Sequence, residues 1–249
     1  MKDFNDVLAF HQRFNLPCGE VPTPMSEDKL SFRLTFLREE ADEFNHSWQE
    51  ENLVGAVDAL LDFVYVVYGT ALFIGSKRQT FSFGLREWPW FEDAAGSADA
   101  FELRSEAAPH LLTPVLQAFA HRSLVTRVDM FELAHTAALN GEHCAINVAL
   151  HMLRQSAVSA YSIAALMNIP WSRCWRHVQS ANMDKQKAKV DGSDSKRASP
   201  WDVIKPVGWV APDARIAVEL QTAGWYAPCS PDKVLIINHD TGKVSMKSN

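Results

Sequence analysis

Eight carboxylates lie between residues 39 and 76, and this stretch contains no lysine or arginine. They are Glu39, Glu40, Asp42, Glu43, Glu50, Glu51, Asp58 and Asp62. Carboxylate oxygens are the ligands that Mg²⁺ and Mn²⁺ prefer, and a cation removes the repulsion that otherwise raises carboxylate pKa values. The ordinary alternative is a solvated charged surface, so the positions of the acids on their helices decide between the two.

The first group of acids belongs to a helix that is predicted to begin after Ser26 and to end near Gln49. At about 100° per residue, its apolar stripe and its polar face are well separated. The stripe comprises Leu34, Leu37, Ala41, Phe44 and Trp48, and the polar face comprises Ser31, Thr35, Arg38, Asp42 and Asn45. Glu39, Glu40 and Glu43 share the azimuth of Phe32 and Phe36. We therefore expect these three acids to face a partly buried, aromatic-lined space, and Asp42 to face water.

The second group lies on a helix predicted over about residues 53–75, whose only charges, Asp58 and Asp62, are one turn apart on one face. Its uninterrupted apolar part is too short to span a bilayer, so a buried core helix is expected. In an antiparallel hairpin that turns near residues 50 and 51, Glu43 is level with Asp58, and Glu39 or Glu40 with Asp62. The pattern thus predicts a divalent-metal site in which acids of both helices meet.

The remaining pattern is mostly helical, so the predicted fold class is all-α. Helices are expected over 3–14, from Thr113-Pro114, from Asp129 to Asn140-Gly141, over 142–167, over 171–183 and over 213–223. Residues 77–112, which include Trp88, Trp90 and Phe91, are expected to be irregular, 184–199 a flexible loop and 200–212 extended. A small β-hairpin is predicted around Asp240-Thr-Gly. We interpret residues 1–249 as a single domain with a mostly helical insertion over 77–160 and an extended C-terminal tail over 200–249.

The composition excludes several classes of protein. The chain has 249 residues, a net charge of −6 and 47% hydrophobic residues, which argues against a disordered chain and against a binder of bulk nucleic acid. The four cysteines form no CxxC pair, and the N-terminus has no basic region followed by an apolar run. A cytoplasmic protein of a bacterium or a phage-infected host, with no membrane association, is expected.

The acidic hairpin and two segments outside it carry motifs of a known family. The runs Leu37-Arg-Glu-Glu-Ala-Asp-Glu-Phe44 and Val57-Asp-Ala-Leu-Leu-Asp62 resemble the EExxE and ExxD motifs of the all-α nucleoside triphosphate pyrophosphohydrolases. This superfamily includes MazG-like enzymes, dimeric dUTPases and phosphoribosyl-ATP pyrophosphohydrolase. Asn182-Met-Asp-Lys185 and the tail from Lys205 to Asp213 resemble segments of phage and bacterial phosphoribosyl-ATP pyrophosphohydrolase-like proteins. The likeness covers about residues 5–76 and 171–213, and it implies a MazG-like helical bundle.

The resemblance implies Mg²⁺-dependent cleavage of a nucleoside triphosphate between its α and β phosphates, with Mn²⁺ as a possible substitute. The implied metal ligands are Glu40, Glu43, Asp58 and Asp62, and Glu39 would orient or deprotonate the attacking water. Lys185 is expected to contact phosphate, and Asn182 the base, sugar or phosphate. The residues considered for the base pocket are Phe10, His11, Phe14, Phe32 and Phe36, and an ordinary core is the alternative for all of them.

Two departures from the family pattern leave alternatives open. Ala59 occupies the position of the Glu in ExxD, with Asp58 as the substitute, so a sensor that binds metal-nucleotide without turnover, or a helical interaction protein, remains an alternative. The other departure is about 85 residues after Gly75 that the short members lack. Relatives assemble through the hairpin, so a homodimer or tetramer is expected unless the insertion covers its apolar face.

The sequence lacks the motifs of two other metal-dependent classes of protein. A di-iron carboxylate bundle needs two Glu-x-x-His motifs, and the chain offers only Glu132-Leu-Ala-His135. An HD-type phosphohydrolase needs a His-Asp pair on a helix, whereas His239-Asp240 is next to a glycine turn.

Overall fold

The computed structural model of the protein describes residues 2–77, 114–224, 233–237 and 244–248. Within these ranges the elements are α1 Lys2–Arg13, α2 Glu27–Gln49, α3 Leu53–Ile74, α4 Pro114–Leu139, α5 Ala145–Leu166, α6 Trp171–Met183, β1 Gln186–Lys187, β2 Val203–Ile204, α7 Asp213–Thr222, β3 Lys233–Ile237 and β4 Val244–Ser248. The all-α fold class with a small C-terminal hairpin is confirmed. The predicted irregular stretch that includes Trp88, Trp90 and Phe91 lies outside the described residues.

Helix α3 is the central element of the fold. It packs against α1, α2, α5, α6 and α7, so nearly all of its side chains are buried. The Asn52 side chain accepts a hydrogen bond from the Gly55 N–H at its start, and Gly75 ends it in the left-handed conformation. By length and composition alone α3 is apolar enough to cross a membrane, but 89% of its most apolar window is buried inside the protein. This burial is typical of the core helix of a folded protein.

A buried arginine joins α2 to α3. Arg33 Nε donates to Thr70 Oγ1 at 2.9 Å, and Arg33 Nη2 donates to the Val66 carbonyl at 2.6 Å. The missing side chain of Gly69 makes room for this group, because a Cβ there would lie 2.9 Å from Arg33 Nη2 and 2.9 Å from His11 Nε2. Burial, with a smaller contribution from Arg197, lowers the pKa of Arg33 to about 9.

Helices α4 and α5 form a second antiparallel pair that packs on the hairpin of α2 and α3. The expectation of a new helix at Asp129 was wrong, because α4 runs unbroken from Pro114 to Leu139. A continuous stripe of buried residues at helical spacing, which includes Leu124, Val128 and Phe131, supports the single helix. Asp129 is exposed and binds Arg38 of α2 at 3.0 Å.

The segment after α6 is more ordered than its polar sequence indicates. Where a flexible loop was expected, β1 pairs with β2 in antiparallel register, Gln186 opposite Ile204. Buried Asp202 stabilises the intervening turns by accepting hydrogen bonds from Ser195 Oγ at 2.8 Å and from Arg197. The predicted C-terminal hairpin is present as β3 and β4, with Ile237 opposite Val244.

Truncation of a core side chain in α3 is expected to destabilise the fold strongly. Leu60 is fully buried, so Leu60→Ala should lower the free energy of unfolding by about 2–5 kcal/mol, through lost apolar burial and the cavity left behind. Leu166→Ala, at a position that is 61% exposed, should change it by less than about 0.5 kcal/mol. Urea denaturation measures both values, and equal losses would contradict the central position of α3.

Candidate functional site

The candidate acids on the facing surfaces of α2 and α3 differ in how much of each side chain is exposed to solvent. Glu40 is buried, with 7% of its surface exposed, whereas Asp58 and Asp62 are half-buried and Glu43 reaches solvent. Asp42 is exposed as expected, and its Oδ1 lies 3.1 Å from His121 Nε2. Glu40, Glu43, Asp58 and Asp62 act on one another electrostatically across α2 and α3, and this group of four is termed the acidic cleft.

These four carboxylates perturb one another electrostatically. Burial, followed by Asp62 and Glu43, raises the pKa of Glu40 well above its usual range. Burial also raises the pKa of Asp58 well above its usual range, with Asp62, Asp213 and Glu40 adding to the effect. Partial burial and Asp62 raise the pKa of Glu43. Each of these carboxylates therefore lies within electrostatic range of others, and a cation placed among them would lower the repulsion.

Two of the acids lack polar partners among the described residues. Asp58 Oδ1 is shielded from solvent and accepts no hydrogen bond there. The Glu40 carboxylate likewise forms neither a hydrogen bond nor an ion pair with any described side chain or backbone group. Such groups are costly to bury alone, and hard oxygen donors suit Mg²⁺ or Mn²⁺. Within the described ranges, no three Asp, Glu, His or Cys side chains are already spaced to hold one metal ion.

Basic residues from the chain after α6 approach the cleft. The stretch 39–76, which has no lysine or arginine, did not indicate these basic partners. Arg197 binds Glu39 through Nε at 2.8 Å and also through Nη2, while the exposed Lys196 lies 3.6 Å from Glu39 Oε1. Lys185 and Arg197 oppose the rise in the pKa of Glu40, and Lys205 opposes that of Glu43. The acids are thus partly neutralised by residues more than 130 positions away in the sequence.

The Arg197 guanidinium is held on several sides. Its Nη1 lies 3.2 Å from Asp202 Oδ2, and its central carbon lies 3.7 Å from the centre of the Phe36 ring. Arg33 approaches the same Phe36 ring at 5.5 Å. Arg197 therefore ties the segment 184–204 to α2 directly beside the acidic cleft.

The predicted substrate-contacting residues fall into two groups. Lys185 is half-buried near Glu40, and Asn182 is buried in the last turn of α6. His11 and Phe14 lie in the core: His11 Nδ1 is 3.0 Å from the Pro17 carbonyl oxygen, and the Phe14 ring packs 4.8 Å from that of Phe10. Burial, followed by Arg33, lowers the pKa of His11 to about 3, so this imidazole is neutral at physiological pH.

The residues of the Glu-x-x-His motif have other partners. Glu132 Oε2 accepts a hydrogen bond from Arg38 at 2.5 Å, and His135 Nε2 accepts one from the Met25 N–H at 2.8 Å. This motif therefore joins α4 to α2 and to the residue Met25 before it, and the contacts give no support to a di-iron site.

Sequence reasoning missed four residues at the cleft: Arg197, Lys205, Trp209 and Asp213. Asp213 is the first residue of α7, and burial raises its pKa, with Asp62 contributing and Lys205 opposing. The one available signal was the tail motif, which spaces Lys205, Trp209 and Asp213 four residues apart. No periodicity identifies Arg197, because only tertiary structure brings it to Glu39.

The fold and the cleft define a class: an all-α protein with carboxylates of two antiparallel helices facing one another. Residues 7–75 match the family model described as phosphoribosyl-ATP pyrophosphohydrolase, a family of the MazG-like all-α nucleoside triphosphate pyrophosphohydrolase superfamily. The matched segment contains most of α1 and all of α2 and α3, and it confirms the resemblance read from the motifs. It indicates a pyrophosphohydrolase acting on nucleotide-like substrates. No curated protein and no solved structure matches the chain.

Removal of the charge at Asp58 is expected to stabilise the metal-free protein. The pKa of Asp58 is higher in the folded state than in the unfolded state. Below about pH 4 the carboxyl is neutral in both states and costs no stability. As the pH rises from there through the folded-state pKa, the unfolded state ionises more readily, so the wild-type free energy of unfolding falls. Asp58→Asn should therefore raise the free energy of unfolding at pH 7.5 by about 1–3 kcal/mol. Urea denaturation in a chelator at several pH values measures the difference.

The matched control is Glu20→Gln, an exposed residue outside the cleft, for which no gain is expected at any pH. The gain from Asp58→Asn should shrink toward pH 4 and when Mg²⁺ is added. A variant that is less stable than the wild type at every pH would contradict the electrostatic account of the cleft.

Proposed function

We propose that this protein is a Mg²⁺-dependent nucleoside triphosphate pyrophosphohydrolase that releases a nucleoside monophosphate and pyrophosphate. The observation that carries this proposal is the acidic cleft, in which Glu40 and Asp58 Oδ1 are buried without polar partners among the described residues. The family match of residues 7–75 supports the coarser statement of a pyrophosphohydrolase acting on nucleotide-like substrates.

The cleft offers the donor set that a magnesium ion requires. Glu40, Glu43, Asp58 and Asp62 would hold Mg²⁺, or Mn²⁺ in its place, because all four present carboxylate oxygens from rigid helices. The bound ion would neutralise phosphate charge and lower the pKa of a water molecule. Without a cation, burial and the charges of neighbouring carboxylates together raise the pKa values of Glu40, Glu43 and Asp58.

The chain's own cations and Glu39 account for the rest of the proposed chemistry. Lys185 lies on the rim beside Glu40, where it is suited to bind a phosphate oxygen and to place the scissile bond. Arg197 occupies Glu39 Oε2, so Glu39 Oε1, faced only by the exposed Lys196 at 3.6 Å among the described residues, is the oxygen that we assign to orient water or accept its proton. Asn182, buried one turn before Lys185, would position that lysine or contact the substrate.

A second candidate function is a sensor that binds metal-nucleotide without turnover. The observation that favours it is Ala59, which is 2% exposed and takes the place of the Glu in the family's ExxD motif. Asp58, one residue earlier, still reaches the cleft. We therefore favour turnover, and product analysis separates the two functions.

We also propose a homodimer or tetramer that works in the cytoplasm, without membrane or bulk nucleic acid as partner. Two large apolar side chains of α4, Phe119 and Leu133, are 71% and 72% exposed, which is typical of a surface that another copy covers. Light scattering should give at least twice the mass of 27.9 kDa. A monomeric mass would instead support coverage by the insertion of the same chain.

The activity is tested with Mg²⁺, a panel of ribo- and deoxyribonucleoside triphosphates and phosphoribosyl-ATP, with separation of the monophosphate from pyrophosphate. Glu43→Gln and Asp62→Asn should each lower kcat by at least about 100-fold with the helical content unchanged, because each removes a proposed metal ligand. Asp42→Asn, on the exposed side of the same helix, should keep the wild-type rate.

Wild-type rates in both cleft variants would refute the assigned site. Binding of nucleotide without any product would favour the sensor. Products other than a monophosphate and pyrophosphate would overturn the proposed bond cleavage.

A further inference from the structure

A cavity of about 530 Å³ lies between the end of α6 and the start of α7. Its walls include Asp184, Pro206, Gly208, Trp209, Ala214 and Arg215. This volume falls in the range of small-molecule sites, and the walls combine an aromatic ring with a carboxylate and a guanidinium. Trp209 is the residue of this lining that also lies at the acidic cleft, and the cavity extends away from the four carboxylates.

The cavity adjoins the acidic cleft through two shared stretches of chain. Asp184 lines the cavity, and the next residue, Lys185, lies close enough to Glu40 to oppose the rise in its pKa. Ala214 also lines the cavity, and the negative charge of the preceding residue, Asp213, adds to the rise in the pKa of Asp58. A ligand in the cavity would therefore contact Asp184 and Ala214, each of which is next in sequence to a charged residue of the cleft.

Trp209 is fixed at the junction of the cavity and the cleft. Its indole Nε1–H donates to the Ala181 carbonyl at 2.7 Å, which holds the half-buried ring in one orientation. The ammonium groups of Lys205 and Lys185 lie 4.4 Å and 5.7 Å from the ring centre. The ammonium groups of both lysines thus lie over the ring, and the same two cations act electrostatically on Glu40 and Glu43 of the cleft.

We propose that this cavity binds the nucleobase of the substrate by stacking it on Trp209, with Lys185 and Lys205 contacting the phosphates that lead from the base to the acidic cleft. The proposal rests on the proposed nucleotide pyrophosphohydrolase function and adds where the nucleoside is held. Asp184 and Arg215 supply an acceptor and donors for the edge of the base.

The other aromatic residues considered for the base are less accessible. Phe14 is buried in the core, and Arg197 lies against the ring of Phe36 at 3.7 Å. Among the described residues, the Trp209 cavity opens to solvent, and no ion pair there involves its lining. A base stacked on Trp209 would share the ring with the Lys205 ammonium, which lies 4.4 Å from the ring centre.

Kinetics of Trp209→Ala test the proposal. Stacking on an aromatic side chain is worth about 1–3 kcal/mol, so KM for the nucleoside triphosphate should rise by about 5- to 150-fold while kcat changes little. Trp209→Phe, which keeps an aromatic face, should recover most of the affinity. Inorganic triphosphate, used as a competitive inhibitor without a base, should bind the wild type and Trp209→Ala equally well.

A second variant guards against misfolding of Trp209→Ala. Ala214→Leu leaves Trp209 in place and adds bulk to the cavity wall, and it should likewise raise KM for the nucleotide without weakening inorganic triphosphate. Val190→Ala, at a position that is 91% exposed, is the control and should match the wild type. Circular dichroism and the thermal midpoint establish that each variant is folded.

Calorimetry with an α,β-methylene nucleoside triphosphate separates this proposal from the proposed function. If the wild type hydrolyses no nucleotide but binds this analogue at least 5-fold more tightly than Trp209→Ala does, the catalytic proposal fails and the base site stands. If hydrolysis is confirmed and both cavity variants keep the wild-type KM, the base site is refuted. Equal weakening of inorganic triphosphate would also refute it, because the ring would then act on the phosphate site.

Discussion

Repulsion among carboxylates on two tightly packed helices is the constraint on which the rest of the site depends. Helix α3 is too deeply buried to rotate Asp58 and Asp62 toward water, and α2 places Glu40 against them. The cost of holding these charges together is met in part by cations from the segment 184–205. A divalent ion bound by the same oxygens would meet the remainder. Stability and the proposed chemistry therefore draw on the same few side chains.

The hairpin and its acids could be predicted because local patterns encode them. Helical periodicity, the Ser26 start signal of α2 and the Gly75 end signal of α3 define the two helices, and antiparallel geometry then places Glu39 or Glu40 level with Asp62. The helix start predicted at Asp129 was wrong. Asp is a favourable N-cap residue, but the apolar stripe of α4 continues through this position. Capping chemistry is a local signal, and the packing of α4 on α2 and α5 overrides it.

The basic and aromatic sides of the cleft could not be predicted in the same way. Arg197 lies 158 residues from Glu39, in a polar stretch whose composition is typical of a solvated loop. Its position depends on Asp202, which is buried and organises the turns around it. Likewise His11 and Phe14 are of residue types that suit either a base pocket or a core, and only the structure shows that both are buried. Residue type alone does not distinguish a binding surface from an interior one.

Gly69 links the fold to this arrangement. Its lack of a Cβ leaves the space in which Arg33 and His11 meet, and Arg33 in turn lies against the Phe36 ring that also carries Arg197. A larger residue at 69 would force the Arg33 guanidinium and the His11 ring to shift, and a shifted Arg33 would change its contact with the Phe36 ring against which Arg197 lies. Positions 33, 36, 69 and 197 are therefore expected to vary together among homologues, so that an Arg33 without Gly69 should be rare.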